Sequence, residues 1–209
     1  ADVQGRSLVL SRASKHDRNA QRFLQAIEQT SRLSHPNTVR VLDRGAADGE
    51  HWYFAMELVD GKTLRALVDD EGPLPLPRAV HIVLQIARAL SEAHALGVVH
   101  RDLKPENVLV SSVGRERDLA KVCDFGLARS VSYSFAAPEQ CVGEADARTD
   151  VWGLGGLRLF AGTLRQPRDP GTLDDVPEKI RAVVARCLTP EPAARHADAS
   201  EVVRALASL

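Results

Sequence analysis

One stretch constrains this chain more than any other: the octapeptide His100-Arg-Asp-Leu-Lys-Pro-Glu-Asn107, followed in order by Asp124-Phe-Gly126 and Ala137-Pro-Glu139. Taken singly, Asp102 or Asp124 reads as a turn aspartate, and a lone Asp-Phe-Gly carries little information. Eight consecutive motif residues with two further motifs downstream are far more specific. Short apolar runs at 107–110 and 120–123 read as strands beside them.

The remaining chain divides by texture. Leu8-Val-Leu10 forms the core of a strand over 7–13, and Phe23 and Ile27 give 19–33 helical spacing. His35-Pro36 ends that helix, because a residue before proline is pushed out of the helical region. Segments 38–42 and 52–58 read as strands joined by a Gly- and Asp-rich turn over 43–50. After Gly61 the pattern is helical, over 62–69, 78–96 (stopped by Gly97), 150–161, 177–188 and 199–209. A strand-rich beginning and a helical remainder make an α+β chain with a boundary near Leu58.

In this order the motifs resemble the catalytic domain of bacterial-type Ser/Thr protein kinases, from about residue 7 to 209. The resemblance implies a protein-kinase-like bilobal α+β fold with a truncated N-terminal-lobe sheet (1–57) and a mainly helical, shortened C-terminal lobe (58–209). It makes Asp102 the group that orients the attacking hydroxyl and Lys104 the cation that neutralises the transferring phosphoryl group. Asn107 and Asp124 become hard oxygen ligands for Mg2+ and, through it, for ATP. Met56 takes the gatekeeper place, Glu57 and Val59 the hinge that meets adenine, and Leu109 the floor beneath the base. Glu139 should pair with Arg195, and Asp150 should brace the catalytic loop carrying His100 and Arg101. His35 and His94 match packing positions.

Against that pattern, several features are altered. No G-x-G-x-x-G occurs in the 209 residues, and few residues precede the first strand. Alignment on Leu33-Ser-His-Pro-Asn37 puts Ala26 at the place of the family's helix glutamate and Ser11 at the place of its phosphate-binding lysine. Lys15 or Arg12 are weak substitutes for the lysine, Glu28 is a poor one for the glutamate, two residues round the helix, and all three read better as solvated surface charge. Thr30 replaces an apolar packing residue. Eleven residues separate Gly126 from Pro138, a short activation segment in which Ser130, Ser132, Tyr133 and Ser134 are candidate phosphorylation sites facing Arg101. A Pro-Gly-Asp connector stands between Ala161 and Pro177 in place of an extra helix.

Composition narrows the partners. Twenty-seven Lys and Arg against 28 Asp and Glu give a net charge of -1, and aromatics are only 4%, which argues against nucleic acid. No apolar run is long enough for a membrane span. Cys123, Cys141 and Cys187 lack a paired metal spacing and read as free thiols in a reducing, cytoplasmic compartment. Two functions fit. One is a degenerate, pseudokinase-like module that regulates or binds a protein partner, with ATP and Mg2+ binding weakened or lost. The other is an active Ser/Thr kinase with a displaced lysine, acting on a protein substrate.

Overall fold

The computed structural model describes residues 2–3, 6–14, 20–47, 50–113, 116–125, 134–169 and 171–208. Lys15, Gly126, Ser130, Ser132 and Tyr133 lie outside the described residues. The first body is a four-stranded sheet in the order β1-β2-β4-β3, built from β1 (Asp2–Val3), β2 (Arg6–Ser14), β3 (Val41–Ala47) and β4 (His51–Glu57). The pairs β1–β2, β2–β4 and β3–β4 are all antiparallel. Aromatic residues Trp52, Tyr53 and Phe54 suit β4 to a half-buried pleated surface.

Residues 43–47, expected to turn, continue as strand. Asp43 to Ala47 pair with β4 after a register shift next to Val41. Asp43 gains a cross-strand partner in the Tyr53 hydroxyl at 2.9 Å, and Gly45 leaves room for the Tyr53 ring, which a Cβ would meet at 3.0 Å. Local turn chemistry therefore loses to ladder pairing.

Helix α1 (Ala20–Thr30) lays Ala26 and Ile27 into the core. Its Thr30 hydroxyl donates back to the Ala26 carbonyl at 2.7 Å, which lets a polar side chain sit beside an apolar wall. The segment after α1 is fastened to the second body. Glu92 accepts from the Ser34 and His35 amides at 3.2 and 3.0 Å. Asn37 Nδ2 donates to Gln85 Oε1 at 2.9 Å and to the Ala120 carbonyl at 2.7 Å.

The second body holds α2 (Leu64–Glu71), α3 (Leu76–Ala95), α4 (Ala147–Thr163), α5 (Glu178–Cys187) and α6 (Ala199–Ala207). It also carries a small antiparallel sheet, β5 (Lys62–Thr63), β6 (Val108–Val113) and β7 (Glu116–Val122). Thr63 caps α2 by accepting from Ala66 N–H at 3.1 Å. Gly97, at φ 73°, closes α3, where the next amide, of Val98, returns to the Ala93 carbonyl. Helix α4 is buried on nearly every side and packs against α3, α5 and α6. Its glycines permit that approach: a Cβ on Gly153 would meet Leu103 at 2.8 Å, and one on Gly155 would meet Cys187 at 2.7 Å. Ile82, Ile86, Leu90, Leu154, Leu157 and Phe160 fill the core between these helices. Between α4 and α5, residues 164–176 form turns and no helix among the described residues.

Candidate active site

The octapeptide hangs from one carboxylate. Asp150, in the first turn of α4, is fully buried and accepts three donors. These are the His100 amide at 2.8 Å, the Arg101 amide at 2.9 Å and His94 Nε2 at 2.9 Å. Ala199 N–H donates to His94 Nδ1 at 3.2 Å, so the His94 proton belongs on Nε2. Arg101 has a positive φ of 69°, a conformation a side-chain-bearing residue rarely holds without support. Support comes from Asp150 on one side and from Gln140 Nε2, which donates to the Arg101 carbonyl at 2.7 Å, on the other.

Beyond that turn, three polar side chains converge. Lys104 Nζ donates to Asp102 Oδ2 at 2.6 Å, and Asn107 Nδ2 donates to the same oxygen at 3.1 Å and to the Asp102 carbonyl at 2.8 Å. With its amide nitrogen so engaged, Asn107 presents Oδ1 as an acceptor without a donor among the described residues. His100 Nδ1 accepts from the Asp102 amide at 3.2 Å, which leaves Nε2 to donate to the Cys123 carbonyl at 2.9 Å. The His100 ring thereby joins the loop to the residue before Asp124, and it packs 4.6 Å from the Phe125 ring.

Asp124 differs from its neighbours. At φ 64° it leaves β7 through another left-handed turn, and its carboxylate has no hydrogen-bond donor among the described residues. Burial, with the nearby Asp102 charge, lifts its pKa above the usual carboxylate value, against the pull of His100 and Lys104. Together with Ile27, Thr30, Val39, Phe54 and Met56 it lines a cavity of about 10 Å³, room for one water molecule. Met56 thus stands between that cavity and the hinge segment. Glu57, at the end of β4, is clamped by Lys121 Nζ at 2.6 Å and by the Arg40 amide at 3.0 Å. Leu109 pairs with Lys121 in the β6–β7 ladder, and Val59 is the second residue past the end of β4.

On the other side of the loop, Arg195 meets Glu139 through two parallel contacts, 2.8 and 2.9 Å long. Arg195 also donates to the carbonyls of Thr189, Arg148 and Pro190. Burial pushes the Glu139 carboxyl up, but hydrogen bonds from Arg195, its own backbone and Thr149 hold it below the usual value. Arg195→Met would strand this carboxylate, and we expect a loss of about 3–5 kcal/mol in denaturant unfolding. Adding Glu139→Gln should recover part of it; no recovery would show that Arg195 stabilises through its carbonyl contacts alone.

Acid should weaken the fold in two steps. Burial holds His35 and His196 below the ordinary histidine value. The folded chain therefore resists protonation that the unfolded chain accepts, and stability present above about pH 6.5 falls as pH drops below it. Glu139 has a depressed pKa, so its contribution is present above about pH 4.3 and disappears as pH falls through its folded value. Urea midpoints should be flat from pH 8 to 7, decline below about 6.5 and drop again below about 4. A constant midpoint from pH 7 to 5 would remove the histidines from this account.

The structure brings His100, Arg101, Asp102, Lys104 and Asn107 into one loop held by Asp150 of α4, with Asp124 joined through His100 and Cys123. Ser11 stands in β2 in register with Phe54, and Ala26 is a buried apolar residue of α1. Glu28 is exposed. Sequence reasoning overlooked Lys121 and Gln140; a charged residue inside the apolar run 120–123 was the available sign for Lys121.

Comparison with known proteins agrees with this geometry. The family description "Protein kinase domain" matches residues 7–167, so the chain belongs to the protein kinase family. Serine/threonine-protein kinase pkn3 of Myxococcus xanthus is 38% identical over 168 residues, 71% of this chain and 31% of pkn3. The chain spans about a third of the length of such curated relatives. The crystal structure of the Mycobacterium tuberculosis PknI kinase domain superposes with a TM-score of 0.82 at 30% identity, covering 96% of this chain and 85% of that one. Rad53 residues 1–466, solved in complex with AMP-PNP, gives 0.80 at 27% identity over 95% of this chain and 57% of that one. The fold is that of a bacterial-type Ser/Thr protein kinase domain with a small N-terminal sheet.

Proposed function

We propose that this domain binds ATP with Mg2+ but transfers phosphoryl groups slowly or not at all, and that it regulates or docks a protein partner. The observation that carries this reading is Ala26: 4% exposed in α1, it offers no carboxylate where the family pairs one with a lysine. With Ser11 in β2, both halves of that ion pair are replaced by small uncharged residues.

Asn107 Oδ1 and the Asp124 carboxylate, both without donors among the described residues, have the oxygen chemistry that Mg2+ prefers, and we assign them as its ligands. Bound there, the ion would neutralise nucleotide phosphate charge. Asp102 keeps Oδ1 clear of Lys104 and Asn107, so a substrate hydroxyl could donate to it, while Lys104 stands ready beside the phosphoryl position. That intact loop favours the second reading, an active Ser/Thr kinase. The hinge from Glu57 to Val59 would meet the adenine edge, with Leu109 beneath and Met56 behind. AMP-PNP in the Rad53 complex supports a nucleotide in the equivalent cleft. Three free thiols suit a reducing cytoplasm, and no helix among the described residues is long and apolar enough to cross a membrane.

Calorimetric titration with ATP, with and without Mg2+, tests the binding half. Saturable Mg2+-dependent binding supports it, and absence of binding under both conditions overturns it. A phosphotransfer assay with an Asp102→Asn control then separates the two readings: a fast, Asp102-dependent rate would establish the second.

A further inference from the structure

Helix α4 carries a charge that none of the chemistry above uses. Arg158 is 3% exposed, in a helix whose other buried residues past its first turn are apolar or glycine. Its Nε and Nη1 are sealed from solvent and have no hydrogen-bond partner among the described residues. These two nitrogens hold three of the five N–H donors of a guanidinium. Burial lowers its pKa to about 10, so it keeps its proton at neutral pH. Arg195 makes the contrast plain. Equally buried, it is satisfied by both Glu139 oxygens and three carbonyls.

Nor do the described residues offer Arg158 an internal counterion. Just past the end of α4, Arg165 takes Asp175 at 2.6 Å. Space, however, has been left for the guanidinium: Gly162 lies one turn away, and a Cβ there would collide with Arg158 Nη1. A buried cation without acceptors is costly, and an apolar side chain of the same length would serve packing better. A charged fork that a glycine makes room for, with no acceptor among the described residues, is the arrangement of a group whose acceptor arrives from outside.

We propose that Arg158, whose guanidinium fills the space left by Gly162, binds a small oxyanion, a carboxylate or a phosphate. Such groups match the planar guanidinium fork with two parallel hydrogen bonds. The site is separate from the nucleotide cleft, since Arg158 lies eight residues along α4 from Asp150, a rise of about 12 Å.

The test uses thermal midpoints of the chain and of Arg158→Met in chloride, with inorganic phosphate or acetate added at constant ionic strength. The unaltered chain should show a saturable rise with at least one anion, and Arg158→Met should show none while melting several degrees higher in chloride. Phosphate alone acting names a phosphate site; acetate acting as well names a carboxylate site. Asp124→Asn should keep the response, which separates it from anion binding in the nucleotide cleft. If Arg158→Met does not fold, Arg158→Lys serves, retaining charge without the fork and responding more weakly. An equal response in the chain and its Arg158 variants, or no saturable response in the chain, overturns the proposal.

Discussion

Ser11→Lys combined with Ala26→Glu should raise phosphotransfer by about 10²–10³-fold, the usual effect of one electrostatic stabiliser at such a site. The gain should be strongly non-additive. Ala26 is buried, so Ala26→Glu alone places an uncompensated carboxylate in the core and should destabilise the chain. Ser11→Lys alone supplies charge with nothing to orient it. Only the pair restores the family's ion pair, and a double-mutant cycle measures the coupling. A double variant that folds but transfers no faster would place the limit elsewhere than in this pair.

Asp124→Asn should remove the Mg2+-dependent part of nucleotide affinity altogether, a loss of at least about 10–100-fold, since even groups that merely orient a metal's ligands cost that much. The amide is nearly isosteric, so burial and the turn at Asp124 survive. Burial raises the Asp124 pKa, which means that the site tolerates a neutral side chain. Thermal stability without nucleotide should therefore change little or rise. Unchanged Mg2+-dependent binding would take Asp124 out of the metal site.

Much of this was legible in the sequence because the motifs are contiguous. The octapeptide names Asp102, Lys104 and Asn107 together, and helix periodicity with Gly97 delimits α3 to within two residues. The strand over 43–47 was hidden because Asp43 and Gly45 have turn chemistry, and their pairing partner, β4, is decided by the sheet rather than by neighbours. Gln85 and Asn37 were equally opaque. Each is an ordinary polar residue until the Ala120 backbone between them is placed, 35 and 83 residues away. Arg158 was invisible for the opposite reason: nothing in its sequence neighbourhood tells a buried arginine from one reaching the surface.

The link from Ala199 through His94 to Asp150 has a consequence for synthesis. His94 and Ala199 are 105 residues apart, yet the Ala199 amide fixes the imidazole that steadies the catalytic loop's anchor. A nascent chain that has emerged as far as α5 already holds Asp102, Lys104, Asn107 and Asp124, but not the donor that orients His94. Domains assemble as units during translation, and here synthesis must pass Ala199 before the loop that Asp150 anchors can settle.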